Sequence, residues 1–307
     1  MASLHFLSLL EQPRERLKAI VDRAGELKAR WKEGHRDPLL AGRVLALLFE
    51  KPSLRTRVSF ETAMAQLGGS SLFLGKEVGW GEREAVADFA QVLSQYVDAI
   101  VFRTRSHRRL VELAQHCSVP VINGLSNLAH PCQALADLFT IRELFGTFEG
   151  VKLVFVGDGN NVARSLAVGC AAFGVEFVLA GPPAYQFSAR FLESLRRTYP
   201  EARCAQTDDP HAAVRGAQIV YTDVWTSMGQ EDQAQQRRAA FAAYQVNRQL
   251  MQEAGPQARF MHCLPAHRGE EVTDEVIDGP ASVVVHQAAN RLHLQKGLLV
   301  WLLENRE

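Results

Sequence analysis

The chain has 307 residues, a length typical of two domains of about 150 residues each, although one large domain is also allowed. Lysine plus arginine and aspartate plus glutamate both total 34, so the basic excess of a nucleic-acid-binding protein is lacking. No apolar run reaches the roughly 18 residues of a membrane span, and the first residues lack the features of a signal peptide. Five scattered cysteines indicate neither a disulfide framework nor a zinc site. We therefore expect a soluble, cytoplasmic protein with no nucleic-acid or membrane partner.

Helical and strand-like patterns alternate along the first half of the chain. Apolar residues at three- and four-residue spacing predict a helix within the first forty residues. Continuous apolar runs predict strands that are covered on both faces. The strands are expected at 43–49, 97–102 and 119–122, and helices at 56–67 and 110–116.

The same alternation returns after residue 150, which indicates a second α/β half. The two halves join near 144–150, and the polar stretch 230–238 is expected to be a solvated loop or helix face. Strands are predicted at 151–156, 175–180, 218–222, 259–263 and 282–285, and helices at 162–173, 187–198 and 288–303. The order of elements predicts parallel sheets.

A short segment after the first strand combines several features that bind anions. Ser53 and Thr56 supply hydroxyl groups at the start of a predicted helix, where free backbone N–H groups favour an anion. Arg55 can bind two phosphate oxygens at once. Arg103 follows another strand, at the edge where open α/β sheets bind ligands. A capped helix with solvated arginines explains each feature singly, but their crowding favours a phosphate site.

A histidine and an amide follow the 119–122 strand in a predicted loop. His130 can polarise a carbonyl group, and Gln133 can bind an amide. A histidine that only completes the hydrogen bonding of a loop is the alternative.

Polar residues also follow the strands of the second half. Residues 157–161 look like a dinucleotide-binding turn but lack its third glycine, which leaves either a plain tight turn or an Asn161 that binds a carboxylate. Asp223 and Ser227 suit an ammonium group, although an aspartate helix cap is the alternative. Cys263 ends a strand, and a buried packing residue is the usual role of a free cysteine. Arg291 begins the last helix, where it could be a solvated charge.

Taken together, these motifs resemble those of the aspartate/ornithine carbamoyltransferase family over essentially the whole chain. The family's Ser-x-Arg-Thr-Arg motif matches residues 53–57, and its His-Pro-x-Gln motif matches residues 130–133. Three further stretches are similar to the ornithine-specific branch of the family. They are 157–161, 223–229 and 262–265.

The resemblance implies an α/β fold of two Rossmann-like domains. It predicts a carbamoyl phosphate-binding domain at 1–145, an ornithine-binding domain at 146–288, and a C-terminal helix at 289–307 that returns to the first domain. The implied reaction transfers the carbamoyl group of carbamoyl phosphate to the δ-amine of L-ornithine, giving L-citrulline and phosphate for arginine biosynthesis. The resemblance also implies a homotrimer, or a multiple of trimers, without a metal or other cofactor.

The resemblance assigns a role to each matching residue. The carbamoyl phosphate ligands are expected to be Ser53, Leu54, Arg55, Thr56, Arg103, His130, Gln133, Cys263, Leu264 and Arg291. The ornithine ligands are expected to be Asn161, Asp223, Ser227 and Met228. Arg55, Arg103, His130, Asp223 and Cys263 are the expected catalytic residues.

Two departures from the family pattern concern the orientation of Arg291 and the choice of substrate. Acidic residues common in the family are missing at His286 and Ala289, next to Arg291. The loop 77–81 contains Trp80, and in some relatives a tryptophan there accompanies altered substrates. One alternative is therefore a sister transcarbamylase acting on N-acetyl- or N-succinyl-ornithine, putrescine or another amine. The other is a non-catalytic nucleotide-binding module built on residues 157–161.

Overall fold

The computed structural model describes residues 5–81, 83–226 and 231–304. The chain forms two compact units, the first consisting of residues 1–139 and 290–307 and the second of residues 140–289. Ser227 and Met228, two of the expected ornithine ligands, lie outside the described residues.

The first unit contains a four-stranded parallel sheet. Its strands are β1 (Val44–Phe49), β2 (Ser70–Leu74), β3 (Ala99–Arg103) and β4 (Val121–Leu125), in the order β2-β1-β3-β4. The chain moves outward from β1 to β2 and then returns to the other side of β1 as β3. This reversal creates a topological switch point between β1 and β3, and ligands bind at such points outside the carboxyl ends of the strands.

The second unit contains a five-stranded parallel sheet with a switch point between its first and fourth strands. The strands are β5 (Lys152–Val156), β6 (Glu176–Ala180), β7 (Cys204–Thr207), β8 (Ile219–Thr222) and β9 (Arg259–His262), in the order β7-β6-β5-β8-β9. The loops after β5, β8 and β9 therefore leave the same edge of the sheet.

Helices flank both sheets, because each sheet is apolar on both faces. The α-helices are α1 (Arg14–Lys32), α2 (Leu54–Gln66), α3 (Val86–Tyr96), α4 (His107–His116), α5 (Pro131–Phe145), α6 (Asn161–Phe173), α7 (Ala189–Thr198), α8 (Pro210–Val214), α9 (Ala234–Phe241), α10 (Arg248–Ala254), α11 (Asp274–Ile277) and α12 (Val284–Glu304). Short 3₁₀ helices cover Leu9–Glu11, Lys76–Val78, Pro183–Tyr185, Glu231–Gln233 and Ala242–Tyr244. Among the described residues, no helix is long and apolar enough to cross a membrane.

From Asn290 onward, the last helix, α12, packs within the first unit. Lys28 on α1 donates a 2.6 Å hydrogen bond to the side-chain oxygen of Asn290, and Lys296 donates to Gln66 on α2. Gly297 lets the two helix backbones approach closely, since a Cβ atom there would lie 2.7 Å from the backbone nitrogen of Ala24. The predicted α/β fold with a C-terminal helix on the first domain is confirmed.

Some predicted elements differ from the structure. The strand at 282–285 was a wrong prediction, because Ser282 forms only an isolated bridge with Phe260 and α12 begins at Val284. Two strands and five helices were not predicted from the sequence, namely β2, β7, α3, α5, α8, α10 and α11. The strands β2 and β7 are partly exposed edge strands, so their sequences lack the apolar run that marks a central strand.

Candidate active site

The hydroxyl group of Thr56 is the centre of a buried polar cluster in the first unit. It accepts hydrogen bonds from Arg291 at 3.0 Å, from Arg103 at 3.5 Å and from Ser53 at 3.1 Å. The side chains of Thr56, Arg103 and Arg291 are all buried. Two guanidinium groups thus converge on one neutral hydroxyl, an arrangement that favours a bound anion.

The start of α2 completes this cluster. The side chain of Ser53 caps the helix by accepting a hydrogen bond from the backbone nitrogen of Thr56. Leu54, the first residue of α2, exposes its side chain, so only its backbone N–H is suited to an anion. Within the described part of the chain, the half-buried guanidinium of Arg55 forms no hydrogen bond or ion pair. Arg55 therefore remains available to a ligand.

His130 lies directly before α5, which begins at Pro131. The expected loop at 130–133 is thus wrong from Pro131 onward, and Gln133 belongs to the first turn of a helix. Burial, together with the nearby charges of Arg291 and Arg103, holds the pKa of His130 well below its ordinary value of 6.5. The imidazole is therefore neutral at physiological pH, which suits a hydrogen-bonding role rather than a fixed cation.

Arg291 is held firmly in place even though the acidic residues common in the family are absent at His286 and Ala289. It donates one hydrogen bond to the Gln133 side-chain oxygen at 2.8 Å and a second to Thr56. The preceding residue, Asn290, accepts a hydrogen bond from Lys28 on α1, which holds α12 in place next to Arg291.

A second network in the first unit connects the strand end before Ser53 with Trp80, and the sequence analysis missed it. One carboxylate oxygen of Glu50 forms an ion pair of 2.7 Å with Arg109, and the other accepts from the hydroxyl of Thr104. The guanidinium of Arg109 lies 4.2 Å above the ring of Trp80. The signal available was the repeated placement of polar residues directly after β1 and β3.

In the second unit, the carboxylate of Asp223 follows β8 and is surrounded by donors. Its Oδ1 accepts from the thiol of Cys263 at 3.1 Å and from the backbone nitrogen of Val224. Its Oδ2 accepts from the side-chain amide of Asn160 at 2.9 Å. The structure therefore brings together Asp223 and Cys263, as expected for neighbouring strand ends, and adds Asn160, which the sequence analysis passed over.

Asn161 is the half-buried first residue of α6. The cap before it is Asn160, whose side-chain oxygen accepts from the backbone nitrogens of Val162 and Ala163. A dinucleotide-binding turn needs these N–H groups for the pyrophosphate. Because the protein uses them itself, the turn at 157–161 does not fit a nucleotide.

His262 and Leu264 shape the turn after β9. Leu264 has a positive φ of 59°, which is uncommon for a branched residue, and its bond to Pro265 is cis. Its backbone nitrogen donates to Nδ1 of His262 at 2.8 Å. The other ring nitrogen of His262 lies 3.2 Å from the buried carboxylate of Glu271. His262 therefore carries its proton on Nε2. Glu271 is another residue of the site that the sequence patterns did not reveal.

Arg237 is the buried exception among the described residues of the stretch 230–238, which was predicted to be a solvated loop or helix face. It lies on α9, is only 3% exposed, and pairs with the carboxylate of Asp158 in the turn after β5. It also donates to the backbone oxygen of Trp225. Burial raises the pKa of Asp158, and the charge of Arg237 opposes that rise.

Among the residues that the structure describes, two groups of side chains have the composition of a metal site. The ligand-type atoms of Asp223, His262 and Cys263 lie within 4.8 Å of one another, as do those of His267, Glu270 and Glu271. Both ring nitrogens of His262 already hydrogen-bond to Leu264 and Glu271. The first group therefore does not offer a free imidazole ligand.

Comparison with known proteins matches nearly the full length of the chain to two family domains. Residues 4–143 match the model of the aspartate/ornithine carbamoyltransferase carbamoyl-P binding domain, and residues 149–302 match that of the Asp/Orn binding domain.

Individual relatives extend the match. An ornithine carbamoyltransferase of Bacillus subtilis is 51% identical and covers 98% of this chain and 94% of its own; one of Symbiobacterium thermophilum is 51% identical and covers 97% of both. The solved structure of ornithine carbamoyltransferase from Pyrococcus furiosus superposes with a TM-score of 0.95 at 48% identity, covering 99% of this chain and 98% of that one. The chain belongs to the aspartate/ornithine carbamoyltransferase family.

Proposed function

We propose that this protein transfers the carbamoyl group of carbamoyl phosphate to the δ-amine of L-ornithine, giving L-citrulline and phosphate in arginine biosynthesis. The observation that carries the proposal is the convergence of Arg103 and Arg291 on the hydroxyl of Thr56. Two fixed guanidinium groups suit a doubly charged ligand such as carbamoyl phosphate, with Arg103 on the phosphate and Arg291 on the carbamoyl oxygen, whereas a site for a neutral ligand would leave them uncompensated. The high identity to ornithine carbamoyltransferases supports the choice of amine.

The proposed carbamoyl phosphate ligands come mainly from the first unit. The phosphate group is held by side chains and backbone groups of Ser53, Leu54, Arg55, Thr56 and Arg103. The carbamoyl group is held by His130, Gln133, Arg291 and the backbone of Cys263 and Leu264. The neutral His130 donates to the carbonyl oxygen, which becomes an oxyanion when the amine attacks. Losing one such donor typically costs about 2.7–4 kcal/mol of transition-state stabilisation.

The proposed ornithine ligands belong to the second unit. Asp223 pairs with the α-ammonium group, Asn161 binds the α-carboxylate, and Ser227 and Met228 contribute from the segment outside the described residues. The carboxylate of Asp223 and the thiol of Cys263, 3.1 Å apart, form the environment in which the δ-ammonium loses its proton.

The reaction needs no covalent enzyme intermediate, because the substrate's own amine is the nucleophile. A bond forms between Nδ and the carbamoyl carbon, the bond from that carbon to the phosphate oxygen breaks, and the departing phosphate takes up the remaining proton. Catalysis then rests on positioning, which typically contributes about 7–11 kcal/mol, and on oxyanion stabilisation.

The decisive experiment assays a panel of amines with carbamoyl phosphate, using a colour reaction for the ureido product. We expect a preference for L-ornithine over N-acetyl-ornithine and putrescine of about 10⁴-fold, because either alternative leaves Asp223 or Asn161 without its ionic partner. The preference should collapse in Asp223→Ala. Equal rates with ornithine and with either alternative amine would refute the proposed substrate.

The position of Trp80 supports ornithine over the altered substrates of the sister transcarbamylases. Its side chain is 6% exposed and packs edge-on against Phe102 at 4.7 Å, beneath the guanidinium of Arg109. In the relatives with altered substrates, the tryptophan of this loop reaches the active site of a neighbouring subunit. Such a tryptophan has to project from its own unit. Trp80 instead belongs to the apolar core of the first unit.

We also propose that the protein is a cytoplasmic homotrimer, or a multiple of trimers. The first unit exposes apolar side chains on α2 and on the edge strand β2, namely Leu54, Val58 and Leu72, and such surfaces are typical of subunit contacts. Light scattering coupled to size exclusion tests the trimer, and a monomeric mass with full activity would contradict it.

A further inference from the structure

The side chain of Gln133 is hydrogen-bonded at both ends of its amide group. Its nitrogen donates to Oδ1 of Asp137 at 2.8 Å, and its oxygen accepts from Arg291 at 2.8 Å. All three side chains are buried, and Asp137 is fully inaccessible to solvent. Gln133 and Asp137 are one turn apart on α5, so the helix itself sets their separation.

Only one orientation of this amide satisfies both neighbours. A carboxylate accepts hydrogen bonds and a guanidinium only donates them. Turning the amide over would place two acceptors together at Asp137 and two donors together at Arg291. The side-chain oxygen of Gln133 is therefore fixed on the side of Arg291.

The orientation matters because of what a carbamoyl group requires. Its carbonyl oxygen needs a hydrogen-bond donor, and its NH₂ group needs an acceptor. Donors are abundant in the cluster around Thr56, where Arg103 and Arg291 can only donate. The oxygen of Gln133, which has a second lone pair, is an amide acceptor placed among them.

We propose that Asp137 is a positioning residue that fixes the Gln133 amide with its oxygen toward Arg291, and so makes Gln133 the acceptor that selects a carbamoyl NH₂ over a methyl group. The inference rests on the proposed function, since it concerns how that site tells carbamoyl phosphate from acetyl phosphate. Asp137 does not itself touch the substrate.

Two stable phosphonates test the selection without turnover. Phosphonoacetamide carries an NH₂ group, and acetonylphosphonate carries a methyl group in the same position. Calorimetric titration of the full-length protein gives a dissociation constant for each. We expect the wild type to prefer phosphonoacetamide by about ten- to hundredfold, the effect of one well-placed hydrogen bond to a buried group.

In Asp137→Ala the preference should fall below about threefold, the fold-change of a weak neutral hydrogen bond, while acetonylphosphonate still binds. A role of Asp137 in helix stability alone would weaken both ligands equally and leave their ratio unchanged. Thr140→Val is the matched control, because Thr140 is a buried polar residue on the same helix. The ratio of the two dissociation constants in Thr140→Val should equal that of the wild type.

A paired exchange keeps the test valid if Asp137→Ala does not fold. In the double variant Gln133→Glu/Asp137→Asn, the asparagine donates to the new carboxylate, and the number of charges is unchanged. Because a glutamate at 133 can only accept, the preference for phosphonoacetamide should be retained. Loss of the preference in this folded variant, or an unchanged ratio in Asp137→Ala, would overturn the inference. A wild type that binds neither phosphonate would instead overturn the proposed function.

Discussion

The side-chain amide of Asn160 donates a 2.9 Å hydrogen bond to Asp223 while its oxygen caps the start of α6. One side chain thereby ties the turn after β5 to the end of β8. These strands flank the switch point of the second sheet, where this fold binds its ligands. Asn160 therefore orients the carboxylate that we assign to the ornithine α-ammonium.

Two substitutions at Asn160 separate its roles. Asn160→Ser keeps a good helix cap but is too short to reach Asp223, so stability should stay near that of the wild type while the KM for ornithine rises. Asn160→Ala loses both contacts and should also lose about 1 kcal/mol of unfolding free energy. Thermal unfolding and steady-state kinetics on both variants check this. An unchanged KM in Asn160→Ser would show that Asp223 needs no help from Asn160.

Arg55→Ala should lower turnover by about 10²- to 10³-fold, the usual effect of losing a transition-state contact to a developing charge. Arg57→Ala is the matched control, because Arg57 pairs with Glu61 and stacks on Phe73 at the exposed side of the same helix. Its turnover should remain close to that of the wild type. Similar losses in the two folded variants would argue against a specific phosphate contact by Arg55.

Arg237→Gln should lower the unfolding free energy by up to about 3–5 kcal/mol, because it leaves the largely buried carboxylate of Asp158 without its cation. Arg238→Gln, one residue away, removes only an exposed pair with Glu270 and should cost less than about 1 kcal/mol. Denaturant unfolding of both variants measures the difference. Adding Asp158→Asn to Arg237→Gln should recover part of the loss, and equal losses in the two single variants would contradict the buried pair.

His130 should make the protein less stable as the pH falls below 6.5. Its pKa is lowered in the folded protein, so the unfolded chain takes up the proton first, and the stability contributed by a neutral His130 is full above 6.5 and lost toward the lower folded pKa. The unfolding free energy of the wild type should therefore fall by up to about 1.4 kcal/mol per pH unit relative to His130→Gln. Parallel pH curves for the two proteins would mean that His130 takes up a proton in the folded protein as readily as in the unfolded chain.

The sequence was sufficient to predict the sheets and most residues brought together at their edges. Central strands such as β1 carry a continuous apolar run, and short motifs such as 53–57 follow them directly. In parallel sheets, residues that follow neighbouring strands meet at one edge. The proximity of Asp223, after β8, and Cys263, after β9, could therefore be predicted. The edge strands β2 and β7 were not predicted, because a partly exposed strand has no continuous apolar run in its sequence.

The residues that orient these groups were not predictable from patterns. Asp137, Arg237 and Glu271 are charged residues in unremarkable surroundings, and average behaviour places such residues in solvent. Their burial depends on specific partners, which include Gln133 for Asp137, Asp158 for Arg237 and His262 for Glu271. Sequence spacing suggests the i,i+4 pair of Gln133 and Asp137, but it does not show which end of the amide faces which neighbour.

The bond from Arg291 to Thr56 joins residues 235 positions apart, and this has a consequence for biosynthesis. Residues 290–304 of α12 are translated after the whole second unit, so the nascent first unit lacks Arg291 and leaves the faces of α1 and α2 that contact Asn290 and Lys296 uncovered. A fragment ending at residue 145 should consequently be prone to aggregate. The first unit is therefore completed only after the second unit has left the ribosome, although most of its residues are translated first.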